Sequence, residues 1–304
     1  MNIYIVLISC LFFGCSFNKE KSEKAQTWDI IDTIPAMRAG AGAVYYDNKV
    51  FIFGGVKLYL PEYENKLETD VYDIVNKKWI KKSNIPIGKA LFGTVVLNKK
   101  IYIIGGNVYD KMTTLEYDPD KDTWAEKAPM PTPRQQLGVE VLNGKIYTFG
   151  GSKGHSISEA FSFEVYDPLT DTWAVRRKLD VPLLNCATTK IGNKIYAIGG
   201  HSVKESQNSG NLIMCYDAQS DKWSIVSHLS QSKTDISATE IENKIYIFGG
   251  HPGLTDVEVF DAKTLQSKIV NNMPKGRSGH NSLQVDGKIL IVAGTVDEIW
   301  SFAP

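Results

Sequence analysis

The sequence predicts an all-β protein assembled from six copies of one four-stranded antiparallel unit, and three regularities predict it. A short segment recurs six times, at Asn48–Gly55, Asn98–Gly106, Asn143–Gly151, Gly192–Gly200, Glu242–Gly250 and, worn, Asp286–Gly294. A Trp28-type position is followed ten residues later by Arg38, Lys89, Arg134, Leu183, Lys233 or Arg277, and seventeen residues after that by the last glycine of each segment. Third, Tyr72-Asp73, Tyr117-Asp118, Tyr166-Asp167, Tyr216-Asp217 and Phe260-Asp261 precede Trp79, Trp124, Trp173, Trp223 and Ser267 by seven residues each. A spacing held through every copy is the mark of a repeated supersecondary unit.

The chain opens with an apolar run from Ile3 to Gly14 that stops at Cys15, followed at once by polar sequence. That length suits the apolar core of a signal peptide and is too short to cross a bilayer. A small residue before cysteine resembles the lipobox of bacterial lipoproteins, which implies acylation of Cys15 and a lipid-anchored location in the cell envelope. Leu7-Ile8-Ser9-Cys10 fits the same letters with a shorter apolar run, so Cys10 is the second candidate, and an ordinary secretory signal is the plainer reading. Residues 1–15 are thus expected to be a signal peptide, 16–26 a polar tether, and 27–304 the folded domain.

Thr27–Ile31 reads as a lone strand with no repeat before it. Each unit then supplies a strand after the basic position and a strand ending in the glycines. A third strand ends at the tyrosine, and a fourth carries the tryptophan. The glycine strands are four apolar residues rich in β-branched and aromatic types, which suits burial on both faces. Asn-Gly and Asp-Gly supply the positive φ angles of a two-residue hairpin. The aspartate after each tyrosine can accept from its own downstream amides and hold the next turn. The last unit stops after its third strand, so Thr27–Ile31 is expected to complete it as the outermost strand. That closes the ring and leaves no unpaired sheet at either end.

The paired glycines with spaced tyrosine and tryptophan resemble the kelch repeat over about residues 27–304. The resemblance implies a six-bladed β-propeller, with four-stranded blades set around a channel. The tyrosines and tryptophans are then wedge fillers between blades, with Trp300 outside the pattern. Lys77, Lys78, Lys81 and Lys82 read as protection of an outer sheet edge. Cys186 and Cys215 fall on strands roughly 9–10 Å apart, too far for a disulfide, and are expected as free thiols.

Thirty-four basic and thirty-four acidic residues cancel, which gives no electrostatic case for nucleic acid. The histidines come singly and no nucleophile elbow or phosphate loop is present, so neither a metal nor a cofactor is predicted. Function is expected on one face, where the loops Val56–Asp70, Asn107–Thr113, Ser152–Ala160, His201–Asn211 and His251–Asp256 are long and varied. Arg38, Lys89, Arg134, Lys233 and Arg277 enter the innermost strands from that face. Symmetry predicts a cationic ring at the channel mouth, fit for a carboxylate, and in kelch domains basic residues near this point often meet acidic ligands. Binding of neighbouring carbonyls at blade junctions is the plainer reading of each. Tyr59, Tyr63, Tyr109, His155, His201 and His251 surround the ring. Two functions follow: a monomeric module that binds a protein segment or an anionic glycan, or an enzyme. For the second, an exported six-bladed kelch propeller is similar to the N-acetylneuraminate epimerase family. That likeness implies one of Arg38, Arg134 or Arg277 for the sugar carboxylate and a proton carrier among Glu62, Glu64, His201, His251 and His280.

Overall fold

The structure is a computed structural model that describes residues 26–57, 64–107, 113–154, 156–201 and 210–304. Cys10, Cys15, Tyr59, Glu62, Tyr63, Tyr109 and His155 lie outside the described residues. The lone first strand, β1 (Thr27–Thr33), is followed by five complete blades. Blade 1 is β2 (Gly42–Tyr46), β3 (Lys49–Phe53), β4 (Thr69–Asp73) and β5 (Lys78–Lys82); blade 2 is β6 (Gly93–Leu97), β7 (Lys100–Ile104), β8 (Thr114–Asp118) and β9 (Thr123–Glu126). Blade 3 holds β10 (Gly138–Leu142), β11 (Lys145–Phe149), β12 (Phe163–Asp167) and β13 (Thr172–Val175). Blade 4 holds β14 (Ala187–Ile191), β15 (Lys194–Ile198), β16 (Leu212–Asp217) and β17 (Lys222–His228). Blade 5 holds β18 (Ser237–Ile241), β19 (Lys244–Phe248), β20 (Asp256–Asp261) and β21 (Gln266–Asn272).

Blade 6 is made from both ends of the chain. Its inner strands are β22 (Asn281–Val285), β23 (Lys288–Val292) and β24 (Glu298–Ala303), and β1 pairs antiparallel with β24 as the rim strand, Trp28 opposite Phe302. The molecule is therefore a six-bladed kelch-type β-propeller closed by its N-terminal strand. The hairpins between first and second strands turn as their residues dictate: Asp47 and Asn48, Asn143 and Gly144, and Asp286 and Gly287 all have positive φ. The post-tyrosine aspartates cap the next turn; Asp261, for example, accepts from the amides of Lys263 and Thr264 at 2.8 and 3.1 Å.

The core is six wedges, one at each blade junction. Phe51 and Phe53 of blade 1 pack with Phe92, Ile101, Ile103 and Tyr117 of blade 2, and the closing junction sets Val285, Leu290, Val292 and Ile299 against Val50, Ile52 and Tyr72. Burial of each such side chain contributes about 1.5–3 kcal/mol. Polar edges of the aromatics are also anchored: Tyr117, Tyr166 and Tyr216 donate to Asp122, Asp171 and Asp221 at 2.6, 2.6 and 2.7 Å. Trp300 is core, and the Arg277 guanidinium lies 4.3 Å from its ring centroid. Cys186 and Cys215 are free thiols, Cys215 buried and Cys186 partly so.

The paired glycines exist because the next blade passes against them. A Cβ on Gly150 would lie 2.3 Å from the Leu183 carbonyl oxygen, whereas one on Gly144, also at positive φ, would meet nothing within 4 Å. Gly144→Ala should therefore cost only the left-handed penalty of about 1–2 kcal/mol. Gly150→Ala adds a backbone collision and should cost about 2 kcal/mol more, read as the difference in urea midpoint between the two variants.

Candidate functional site

The five cations of the equivalent position do not ring an open mouth. Arg38, Lys89, Arg134, Lys233 and Arg277 are 0–1% exposed, and none lines the channel or its entrance. Each side chain turns back into its own blade. Arg38 Nη2 donates to Asp70 Oδ2 at 2.6 Å and Nη1 to the Glu68 carbonyl at 2.9 Å. Arg134 reaches Glu164 Oε2 at 2.6 Å, the Gly150 carbonyl at 2.6 Å and Thr148 Oγ1 at 2.9 Å. Lys233 Nζ is held between Asp256 and Glu258, Arg277 donates to the Ile291 and Glu298 carbonyls, and Lys89 to the Gly105 carbonyl. The expected cationic ring is thus corrected: a long side chain entering a blade between two sheets finds carbonyls and a carboxylate there, and desolvation forbids it to stay unpaired. Burial lowers the pKa of Arg38 and Arg134 against their carboxylate partners, and that of Arg277 to about 10. Burial alone would raise the Glu258 carboxyl, yet Lys233, Ser267 and the Ser230 amide hold it below its ordinary value.

The channel mouth is formed two residues further on. Gly40, Leu91, Gln136, Asn185, Asp235 and Gly279, one per blade, all adopt the left-handed conformation with φ between 55° and 60°. They form a belt of backbone hydrogen bonds: Leu91 N donates to Gly40 O, Gln136 N to Leu91 O and Asn185 N to Gln136 O at 2.8–2.9 Å, and Gly279 N to Asp235 O at 3.0 Å. Gly40 N approaches Gly279 O at 3.4 Å across the closing junction. Holding Leu91 and Gln136 left-handed costs about 1–2 kcal/mol each, and such strain persists only where the surroundings over-determine it. Asn185 Nδ2 donates to Asp235 Oδ1 at 2.5 Å and to Thr234 Oγ1 at 3.2 Å.

One residue deeper, Ala41, Phe92, Leu137, Cys186, Ile236 and His280 form a collar. Above it the mouth encloses about 150 Å³; below it the channel, walled by the six first strands, encloses about 480 Å³. His280 is the polar member of the collar and is 6% exposed. Halfway down stands Glu140, whose carboxyl burial pushes above the usual carboxylate range against the Val141 amide and Lys190.

Of the loop residues expected around the mouth, His201 and His251 stand exposed at loop ends, and neither lines the mouth. Glu64 is exposed and paired with Lys66 at 2.7 Å. Adjacent loops are tied together, Asn107 Nδ2 donating to Asn65 Oδ1 at 2.8 Å. Among the described residues no three His, Cys, Asp or Glu side chains gather into a metal-binding group. The belt and collar escaped the sequence reading although they share its register. Gly, Asn and Asp at the belt positions are the residue types that tolerate positive φ, but Leu91 and Gln136 are not.

Comparisons with known proteins agree with this architecture. A family model described as Attractin/LZTR1 beta-propeller matches residues 12–260. Kelch-like protein 15 of Homo sapiens is 33% identical over 70 residues, which is 22% of this chain and 12% of that protein. Kelch-like protein 23 of Mus musculus is 27% identical over 116 residues, 37% of this chain and 19% of that protein. The matches thus span less than a fifth of those relatives. A solved structure of YjhT superposes with a TM-score of 0.72 at 15% identity, covering 88% of this chain and 94% of that one, a likeness of fold.

The collar imidazole gives acid sensitivity a definite source. Burial first, and then Arg277, push the His280 pKa from 6.5 down to about 3. Between these values the unfolded chain binds a proton that the folded one refuses, so this contribution is complete above about pH 6.5 and is lost on acidification. His280→Leu should flatten the fall in unfolding free energy between about pH 6 and pH 4.5 by up to about 1.4 kcal/mol per pH unit, measured by urea unfolding of both proteins.

Proposed function

The chain belongs to the Attractin/LZTR1 β-propeller family, and from that premise we propose that it is a binding module whose channel mouth and surrounding loops hold a segment of another protein. The observation that carries the reading is the belt: a hydrogen-bonded circle of main chain on which four blades present four different side chains, Leu91, Gln136, Asn185 and Asp235, and two present glycine. Gln136, Asn185 and Asp235 cluster on one side, offering an amide pair and a carboxylate. These groups suit main-chain amides and basic or amide side chains of an extended segment. With the arginines and lysines of the equivalent position sealed against their own blades, the described residues of the mouth offer an anionic glycan no matching cation. The same sealing weighs against a mutarotase of the N-acetylneuraminate epimerase type, which calls for an arginine open to the sugar carboxylate.

The proposed lipid anchor at Cys15 is compatible with this face being free. β1 pairs antiparallel with β24 as the rim strand of blade 6, and Gln26 before it accepts from the Asn271 side-chain amide of blade 5 at 3.2 Å. A tether before Gln26 would therefore start at the rim, away from the channel axis, and would leave the mouth itself uncovered.

Peptides selected from a random display library against the 16–304 fragment should lose about tenfold in affinity on Asp235→Ala, and more when Asn185→Ala is added, in variants that still unfold cooperatively. Equal affinity for the variants, or acceleration of N-acetylneuraminate anomerisation followed by NMR, would overturn the reading in favour of another site or of the enzyme. In cells, Cys15→Ser should move the protein from the membrane to the soluble fraction while Cys10→Ser leaves it bound, as scored by detergent phase partition.

A further inference from the structure

Lys190 is the one ammonium or guanidinium group among the residues that line the 480 Å³ channel, and its side chain is exposed. It stands level with Val141 of blade 3 and Glu240 of blade 5, each opposite the second residue of its neighbouring strand. That level lies just before the hairpin turns, at the end of the channel remote from the belt. The first strand of a blade has one edge that no sheet neighbour covers, and side chains of the next blade take its carbonyls. Thr188 donates to the Val139 carbonyl at 3.0 Å and Lys190 Nζ to the Val141 carbonyl at 2.8 Å. The amide of the same Val141 donates to Glu140 Oε1 at 2.9 Å. Lys190 and the half-buried Glu140 thus sit on the carbonyl and the amide of one residue, an ammonium beside a carboxyl. Among the described residues no ion pair joins either of them to a partner, and Glu240 accepts only from the Asn243 amide of its own turn, at 2.7 Å.

An ammonium carries three N–H donors, and the Val141 carbonyl occupies one of those on Lys190. Burial favours the protonated form of Glu140 against the pull of the Val141 amide and Lys190. A protonated carboxyl adds an O–H donor to the acceptor that the amide already uses. Two donors side by side match the two oxygens of a carboxylate, and the charged one strengthens the bond. The other charges of the wall limit what fits. A singly charged anion balances Lys190, whereas a dianion leaves a surplus that Glu240, on the neighbouring strand, repels. An amine meets the like charge of Lys190, and a neutral molecule leaves that charge unanswered. The volume lies within the range of about 300–1,000 Å³ typical of small-molecule pockets.

We propose that the hairpin end of the channel binds a small monocarboxylate, one oxygen accepting from Lys190 and the other from Glu140 in its protonated form. The site lies away from the peptide-binding mouth and does not depend on it. Because ionised Glu140 would repel the ligand, affinity falls as rising pH removes that proton. Of the strands packed against β10, β6 has no titratable side chain. Lys145 of β11 and Lys194 of β15 are paired with Asp167 and Asp217, and Tyr147 and Tyr196 lie in the blade wedges. Lys190 of β14 is the charge that acts on Glu140.

The Val141 amide, whose acceptor is Glu140, reports on the site. The full-length ¹⁵N-labelled protein is titrated at constant ionic strength with sodium acetate, sodium L-lactate and sodium pyruvate. Acetamide, inorganic phosphate and methylammonium chloride serve as neutral, more highly charged and cationic comparisons. At least one monocarboxylate should give a saturable shift of the Val141 signal and bind more tightly than all three comparisons. Lys190→Met should weaken that binding about tenfold or more. Glu140→Gln, whose amide keeps a neutral donor, should stay within about fivefold of the parent. The parent's affinity should fall between pH 5.5 and pH 7.5, and that of Glu140→Gln should not. No saturable shift with any monocarboxylate, tighter binding of a comparison, or an unchanged affinity in Lys190→Met would overturn the proposal. A larger loss in Glu140→Gln, or the same pH dependence in both proteins, would overturn the part assigned to Glu140.

Discussion

One hydrogen bond, repeated at every blade junction, organises the molecule. The amide of the second glycine in each blade donates to the carbonyl of the residue that opens the next: Gly55 to Lys89, Gly106 to Arg134, Gly151 to Leu183, Gly200 to Lys233 and Gly250 to Arg277, at 2.8–3.0 Å, and Gly294 to Arg38 at 3.1 Å. The last of these joins the end of the chain to its beginning. At five of the six junctions the preceding residue is a glycine: a Cβ on Gly54, Gly105, Gly150, Gly199 or Gly249 would lie 2.3–2.7 Å from that same oxygen, and at the sixth, where Ala293 stands there at φ 59°, the bond is the longest of the set. The glycine pair therefore marks a contact between blades as well as a local turn.

The residue whose carbonyl is gripped by the preceding blade uses its side chain to grip its own. Arg134 carries this furthest, with its guanidinium satisfied by Glu164, Thr148 and two carbonyls. Such a buried ion pair adds little net stability over an apolar pair, yet loss of one partner costs about 3–5 kcal/mol. Where the position is Leu183, the side chain contributes apolar packing in place of an ion pair. The same geometry sets the belt, because fixing the carbonyl of the opening residue fixes the left-handed residue two positions later.

This scaffold separates framework from function. Everything that recurs, the glycines, the aromatic wedges, the capped turns and the cations, is consumed in holding blades together. What differs between blades is left for recognition: the belt side chains, the loops around them and the collar. Gln136, Asn185 and Asp235 face the mouth from three successive blades, and His280 interrupts a collar that is otherwise apolar. A pseudo-symmetric ring thus acquires one polar sector at its mouth and one imidazole at its throat.

The sequence alone determined the number of blades, the order of strands within them and the closure by Thr27–Ile31, because strand period, turn residues and repeat spacing are local and are written six times over. It also determined the role of the aspartates after each tyrosine, whose partners lie within three residues. Only the tertiary structure decided whether a cation at the channel end of a blade meets water or a carboxylate. The partners of Arg38, Arg134 and Lys233 lie 32, 30 and 23–25 residues downstream on the third strand, where no short motif links them. The belt was decided the same way: Leu91 and Gln136 have no intrinsic preference for a left-handed backbone, and they adopt it because bonds from neighbouring blades leave no other path.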